Sequence, residues 1–299
     1  MTSHTDARHT DASCTDAIIA WYDVHARDLP WRADDATPWG VLVSEIMLQQ
    51  TPVARVLPVW RAWLDRWPTP AALAAEPSGE AVRAWGRLGY PRRALRLHGA
   101  ARAIVERHGG AVPAAHADLL ALPGIGAYTA AAVASFAFGQ RHAVLDTNVR
   151  RVLSRLVSGA EYPPKSQTTA EVRLAESLLP PDAPTAARWA VAVMELGALV
   201  CTARSPRCVD CPVLDRCRWH RDGRPAYDGP PRRGQTYAGT DRQCRGRLLA
   251  VLRDADGPVE KPALDAVWSD AVQRERALDA LVADGLVDPL DDGRYALPA

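Results

Sequence analysis

Four cysteines, Cys201, Cys208, Cys211 and Cys217, fall within seventeen residues as C-x6-C-x2-C-x5-C, and this clustering constrains the chain more than any other feature. A disulfide framework spreads its cysteines across a small secreted chain, whereas thiols this close in a reducing compartment serve as metal ligands. Structural zinc sites use two short ligand pairs, which the gaps of six and five residues do not provide. Four thiolates in one compact loop suit a [4Fe–4S] cluster better, with zinc and free thiols as the alternatives. Cys14 and Cys244 stand outside the spacing and read as inert. Such a loop needs a scaffold, and 299 residues at 47% hydrophobic and 24% charged supply apolar sequence for one large domain or two smaller ones. No run approaches the ~18 consecutive apolar residues of a membrane helix. The N-terminus also lacks the basic and apolar regions of a signal peptide, so a cytoplasmic protein is expected.

The net charge of +1 conceals an asymmetry: residues 201–253 carry twelve Arg against five Asp, and residues 254–299 carry eleven acidic against four basic residues. Only Lys165 and Lys261 are lysines, which restricts any chemistry that needs an amine nucleophile. Residues 1–14 read as disordered. Helical periodicity begins near Asp16 and repeats over 39–50, 53–66, 78–86, 90–108, 117–121, 126–138, 147–157, 167–178 and 184–199. No alternating strand pattern precedes residue 285, so an all-α body is predicted over 15–221, with the cysteine loop 201–217 closing it. Gly, Pro and Arg mark 222–243 as a basic linker. The acidic module 244–299 then combines helical stretches over 244–254, 260–268 and 271–284 with a hairpin of Leu286-Val287 and Tyr295-Ala296-Leu297 around a DDG turn, a small winged-helix-like pattern.

Between helical patterns stands Leu122-Pro123-Gly124-Ile125-Gly126, followed by Ala143-Val144-Leu145-Asp146-Thr147-Asn148-Val149-Arg150-Arg151. A turn with two glycines lets backbone approach a ligand, and the N–H groups opening the next helix offer partial positive charge to a phosphate. Alone, the turn equally fits a plain pair of packed helices. Together with the cysteine loop, the order of these segments resembles the helix-hairpin-helix, iron–sulfur-containing DNA glycosylase superfamily. Adding Ser44-Glu45-Ile46-Met47-Leu48-Gln49-Gln50-Thr51 makes it most similar to the adenine DNA glycosylase family, which acts on A/G mismatches. The resemblance covers about residues 16–220. It implies an all-α helix-hairpin-helix glycosylase body with a [4Fe–4S] cluster on Cys201, Cys208, Cys211 and Cys217, a monomer, and double-stranded DNA holding an adenine mispair as partner.

Cleaving an N-glycosidic bond needs a proton on the leaving base and negative charge near the developing oxocarbenium ion. Glu45, among apolar Val43, Ile46 and Leu48, is expected to have a raised pKa; the resemblance makes it the general acid. The alternative for Glu45 is a solvent-exposed helix position. Asp146, ahead of a predicted helix, is expected to stay ionised beside the helix N-terminus and to stabilise the sugar cation. Its simpler role is an N-cap, and both roles can coexist. The resemblance places Tyr128 and Asn148 beside Asp146, and Gln49, Gln50 and Tyr90 inside the duplex near the mismatch; Pro91 stands where many relatives carry a second Tyr. It also places the turn Gly124, Ile125 and Gly126 on a DNA phosphate. Arg207 is a candidate phosphate contact, as are Arg83, Arg87, Arg92, Arg93, Arg96, Arg204, Arg216 and Arg218.

Bifunctional relatives of the endonuclease III type carry Lys where this chain has Tyr128, and a phenol cannot form a Schiff base. The implied activity is therefore monofunctional base excision of adenine opposite 8-oxoguanine or guanine. The alternatives are an endonuclease III-like or pyrimidine mismatch glycosylase, and a non-catalytic DNA-binding iron–sulfur protein. No nudix-like domain for recognising oxidised guanine is legible after Cys217, so either the body supplies opposite-base recognition, through Gln50 and Tyr90, or the enzyme is less selective for oxidised guanine.

Overall fold

A computed structural model describes residues 12–229 and 237–299 of the chain. Among the described residues it is almost wholly helical, with fifteen α-helices and one two-stranded antiparallel sheet. Helices α2 (Pro38–Met47), α3 (Val53–Arg66), α5 (Ser78–Trp85), α6 (Arg92–His108), α7 (His116–Leu120), α8 (Ala127–Phe138), α9 (Thr147–Leu153), α10 (Thr169–Ser177) and α11 (Ala183–Leu199) follow the spans that periodicity predicts. Periodicity missed α4 (Pro70–Ala74), whose five residues are too few to repeat; its start is written in the Thr69 cap on the Ala72 N–H and in Pro70 at the first turn. The helix expected over 147–157 changes after Leu153 into a π-helical turn, Ser154–Ser158. Helix α1 (Ala12–His25) begins earlier than Asp16, so 12–14 are helical; the rest of the expected disordered segment lies outside the described residues. No helix is long and apolar enough to cross a membrane among the described residues.

The chain divides into two compact units, one of Met1–Val41, Ala114–Ala117 and Gly126–Pro231, the other of Leu42–Pro113, Asp118–Ile125 and Arg232–Ala299. In the first, α11 is the central element, begun by Asp182 capping the Thr185 N–H and packed on α1, α8 and α9. Ile18, Tyr22, Val149, Val152, Trp189, Leu196 and Val200 form its core, with Cys201, Cys211 and Cys217 against the edge. Glu195 of α11 is fully buried and paired with Arg27 at 2.7 Å and Arg32 at 3.0 Å, which anchors the loop after α1. The two guanidiniums pull the Glu195 carboxyl below its usual range against the opposing effect of burial.

In the second unit α6 packs on α4 and α5 over a tryptophan core, where Trp63 meets Trp67 and Trp85 edge to face at 4.7 and 5.8 Å. The C-terminal residues belong to this unit. Helices α13 (Asp241–Asp254), α14 (Lys261–Asp265) and α15 (Ala271–Ala283) precede β1 (Asp288–Pro289) and β2 (Tyr295–Ala296), paired in the register Asp288↔Ala296. An isolated bridge from Val259 to Tyr295 extends this small sheet. The stretch expected as linker over 222–243 contributes the start of α13 from Asp241; residues 230–236 lie outside the described residues.

Candidate active site and cysteine loop

The second unit carries Glu45 in the last turn of α2. Leu42, Val43, Ser44, Ile46 and Met47 are all buried around it, and Glu45 is itself only 5% exposed, which removes the solvent-exposed alternative. Beyond α2 the chain turns sharply through Gln49, Gln50 and Thr51. Gln50 has φ +55° and Tyr90 has φ +48°, a left-handed backbone that costs a side-chain-bearing residue about 1–3 kcal/mol. Gln50 and Tyr90 are both exposed at the tips of their turns. The two turns are stitched together by Thr51 Oγ1, which donates to the Leu88 carbonyl at 3.3 Å, and by Arg55, which donates to the Arg87 carbonyl.

Arg93, one of the candidate phosphate contacts, is only 5% exposed, with its guanidinium turned inward. It donates to the carbonyls of Ile46, Met47, Gln49 and Gly89 and to Thr51 Oγ1. Burial pulls its pKa down to about 10, which leaves it cationic at neutral pH. Arg83 is likewise committed within the protein, donating to the Leu252, Arg253 and Ala255 carbonyls of the C-terminal segment, and Arg92 pairs with Asp284 at 3.2 Å. The reverse contact, Arg253 to the Val82 carbonyl at 2.9 Å, makes the tail an integral part of this unit.

In the hairpin turn Gly124 has φ +75°, and a Cβ there would meet the Arg96 side chain at 2.5 Å, so both conformation and space require glycine. Leu122 and Ile125 are buried, and the Ile125 N–H donates to the Leu122 carbonyl at 3.2 Å. Ile125 thus anchors the turn by its side chain. Gly126 caps α8 with open space about it, and the N-terminal N–H groups of α8 follow.

In the first unit Asp146 is the N-cap of α9: Oδ1 accepts the Val149 N–H at 2.7 Å and Oδ2 accepts Asn148 Nδ2 at 2.7 Å. Asn148 Oδ1 in turn accepts Arg151 Nη2 at 2.8 Å, and Arg151 Nε donates to the Cys201 carbonyl at 2.7 Å. Gly197 permits this closeness, since a Cβ there would meet Asn148 Cβ at 2.7 Å. Tyr128 packs beside Ala131, Ala132 and Val144, two residues before Asp146 in the chain. Burial raises the Asp146 carboxyl above its ordinary range, outweighing the Val149 N–H and Asn148, which lower it. Enclosure of the carboxylate therefore opposes the helix N-terminus expected to keep it ionised, and is the larger effect on its pKa.

The cysteine loop follows directly from α11. Short 3-10 turns at Cys208–Asp210 and Leu214–Arg216 fold it back, and α12 (Arg218–Arg221) closes it. Burial pushes the Cys211 thiol up to about 12, helped by the nearby Cys201, Cys217 and Cys208, and raises Cys217 likewise. Thiols so placed ionise only when a cation offsets their mutual repulsion, which fits a metal centre. No three His, Cys, Asp or Glu side chains converge on a single-ion site among the described residues. Four cysteine thiols gathered in one compact loop are the donor set that a [4Fe–4S] cluster takes. Sequence reasoning missed Arg155, which is 1% exposed and donates to the Thr202, Ala203 and Glu161 carbonyls and to Cys201 Sγ. Its guanidinium lies over Trp219 at 4.7 Å. An arginine on a helix reads as surface, and only a neighbouring Trp could have signalled otherwise. Arg207 is exposed and spans its own loop to the Leu199 carbonyl and Asp210. Cys14 and Cys244 are buried.

Residues 43–177 match the HhH-GPD superfamily of base excision DNA repair proteins, and residues 201–217 match the iron–sulfur binding domain of endonuclease III. The chain is 55% identical over 285 residues to the adenine DNA glycosylase of Mycobacterium tuberculosis, covering 94% of this chain and 92% of that one. It is 56% identical over 281 residues to that of Mycolicibacterium smegmatis, covering 94% of each. Among solved structures, a thermostable thymine-DNA glycosylase superposes with a TM-score of 0.65 at 27% identity, over 74% of this chain and 100% of the other. On this near-full-length likeness, the chain belongs to the adenine DNA glycosylase family.

Proposed function

We propose that this protein hydrolyses the N-glycosidic bond of adenine mispaired with 8-oxoguanine or guanine in duplex DNA, acting as a monomer after flipping the base out of the stack. It is an adenine DNA glycosylase of base excision repair, and the observation that carries this is the 55% identity extending over 94% of the chain. Glu45 donates a proton to the leaving adenine, which accepts the electron pair of the breaking C–N bond. Asp146 stabilises the positive charge left on the sugar and orients the water whose oxygen bonds to the sugar carbon, while the released proton returns to the carboxylate or to solvent. Gln50 and Tyr90 wedge into the duplex, Gln49 supports them, and the Gly124–Gly126 turn holds a phosphate through backbone. Asn148 fixes the Asp146 carboxylate, with Tyr128 alongside. A [4Fe–4S] cluster on Cys201, Cys208, Cys211 and Cys217 supplies a structural brace when bound, and the Arg207 side chain beside it meets the DNA backbone.

The test is a duplex with adenine opposite 8-oxoguanine, guanine or thymine, treated with iron-loaded protein and resolved with and without alkali. Strand breaks at adenine only after alkali, with no borohydride-trapped protein–DNA adduct, are expected, since Tyr128 offers no amine. Efficient trapping would overturn the monofunctional assignment, and activity confined to pyrimidine mismatches would overturn the substrate.

Asp146→Asn is expected to separate activity from stability. Burial raises the folded-state pKa of this carboxyl, so folding with a charged Asp146 is costly above that pKa, and the cost fades as pH falls through it toward the unfolded value. Asn keeps an N-cap acceptor for Val149 without the charge. Excision should fall by about 10²–10³-fold, while denaturant unfolding at neutral pH gives equal or greater stability, the difference shrinking toward acid. A variant markedly less stable than the parent at neutral pH contradicts this account.

A further inference from the structure

Within the second unit one guanidinium meets three pieces of the proposed machinery. Arg93 Nη1 donates to the Ile46 and Met47 carbonyls at 2.9 and 3.1 Å, in the last turn of the helix that carries Glu45, and to the Gln49 carbonyl. Its Nη2 donates to Thr51 Oγ1 and to the Gly89 carbonyl, both at 3.0 Å. The acceptors flank Gln50 on both sides and immediately precede Tyr90. The guanidinium also lies 5.4 Å from the Tyr90 ring centre and 5.2 Å from that of Trp85, whose Nε1 donates to the same Gly89 carbonyl at 2.9 Å.

Gln50 and Tyr90 are two of the three non-glycine residues with positive φ among the described residues. Such conformations persist only where surrounding bonds over-determine them. Here the over-determining bonds converge on Arg93, and the residue is buried away from any phosphate. We propose that Arg93 is a positioning residue for base extrusion, holding Gln50 and Tyr90 in their projecting conformations and in fixed relation to the helix of Glu45. This rests on the assignment of Gln50 and Tyr90 as wedges. A lysine at 93 retains the charge but has neither the planar fork that serves five acceptors nor the flat face that lies against two rings.

The experiment uses full-length, iron-loaded protein and a duplex with 2-aminopurine on a 2′-fluoro sugar, which resists cleavage, opposite 8-oxoguanine. Fluorescence gain on binding reports unstacking of the target base. Arg93→Lys is expected to abolish most of that gain and to slow single-turnover excision of adenine by about 10²-fold. Affinity for undamaged duplex should stay near the parent value, whereas the melting temperature should fall, because buried carbonyls lose a donor. Tyr90→Ala should lose the gain similarly, and the double variant should lose little more, because both changes remove one device. If Arg93→Lys does not fold, Thr51→Val, which deletes one acceptor of Arg93 together with the hydroxyl's own bond to the Leu88 carbonyl, takes its place with a smaller loss of the same kind. A full fluorescence gain in a variant with slowed excision would overturn the proposal, showing that Arg93 acts on Glu45 alone; unchanged excision would overturn it as well. Full gain in both Gln50→Ala and Tyr90→Ala would instead overturn the wedge assignment itself.

Discussion

Glu45→Gln is expected to lower single-turnover adenine excision by about 10²–10⁴-fold while leaving affinity for mismatched duplex nearly unchanged. Adenine is a poor leaving group until protonated, and an amide cannot deliver the proton. The shape of the side chain is kept, and its site is enclosed by Leu42, Val43, Ile46 and Met47, so little repacking is required. Burst kinetics on the 8-oxoguanine duplex, with binding followed by gel shift, check both halves. Near-normal excision by this variant would take Glu45 out of the chemistry and leave it as a structural residue of α2.

Arg155→Met is expected to destabilise the first unit on the order of 3–5 kcal/mol and to loosen the cysteine loop's hold on iron. The wild-type side chain satisfies the Thr202 carbonyl at 2.7 Å, the Glu161 carbonyl at 2.9 Å and the Ala203 carbonyl at 3.2 Å, all from a buried position. Methionine fills comparable space against Trp219 but takes this donor from the Thr202 and Glu161 carbonyls, while the Ala203 carbonyl keeps only the Tyr162 hydroxyl at 2.7 Å. It also removes the cation whose Nη1 lies 3.4 Å from Cys201 Sγ, where a thiolate ligand needs positive charge nearby. Thermal melting and the rate of iron release to a chelator are the measurements. A variant with unchanged melting and full iron retention would show that the loop is self-supporting.

Much of this protein can be read before folding it. Long helices declare themselves through periodicity because each buries one stripe, as α6 and α11 do. Thiolate spacing is covalent arithmetic, so the C-x6-C-x2-C-x5-C loop is legible without coordinates. Gly124 is legible too, since its φ of +75° disfavours a side chain.

Arginine is where the sequence is least legible. Arg83 and Arg93 look identical to phosphate-binding residues in a one-dimensional text, yet the fold commits them to carbonyls. Nothing local marks that difference, because the carbonyls they satisfy belong to distant segments such as Ala255 and Ile46. Sequence by itself determined the helical class and the four-cysteine spacing, and singled out Glu45 and Asp146 as candidate carboxylates. Tertiary structure alone decided that Gln50 and Tyr90 take left-handed backbone, that Asp146 is pushed up by enclosure despite its helix N-terminus, and that the acidic tail joins the second unit. The physical reason is one of range: spacing and propensity act over a few residues, whereas burial and the pairing of polar groups depend on which remote segments meet.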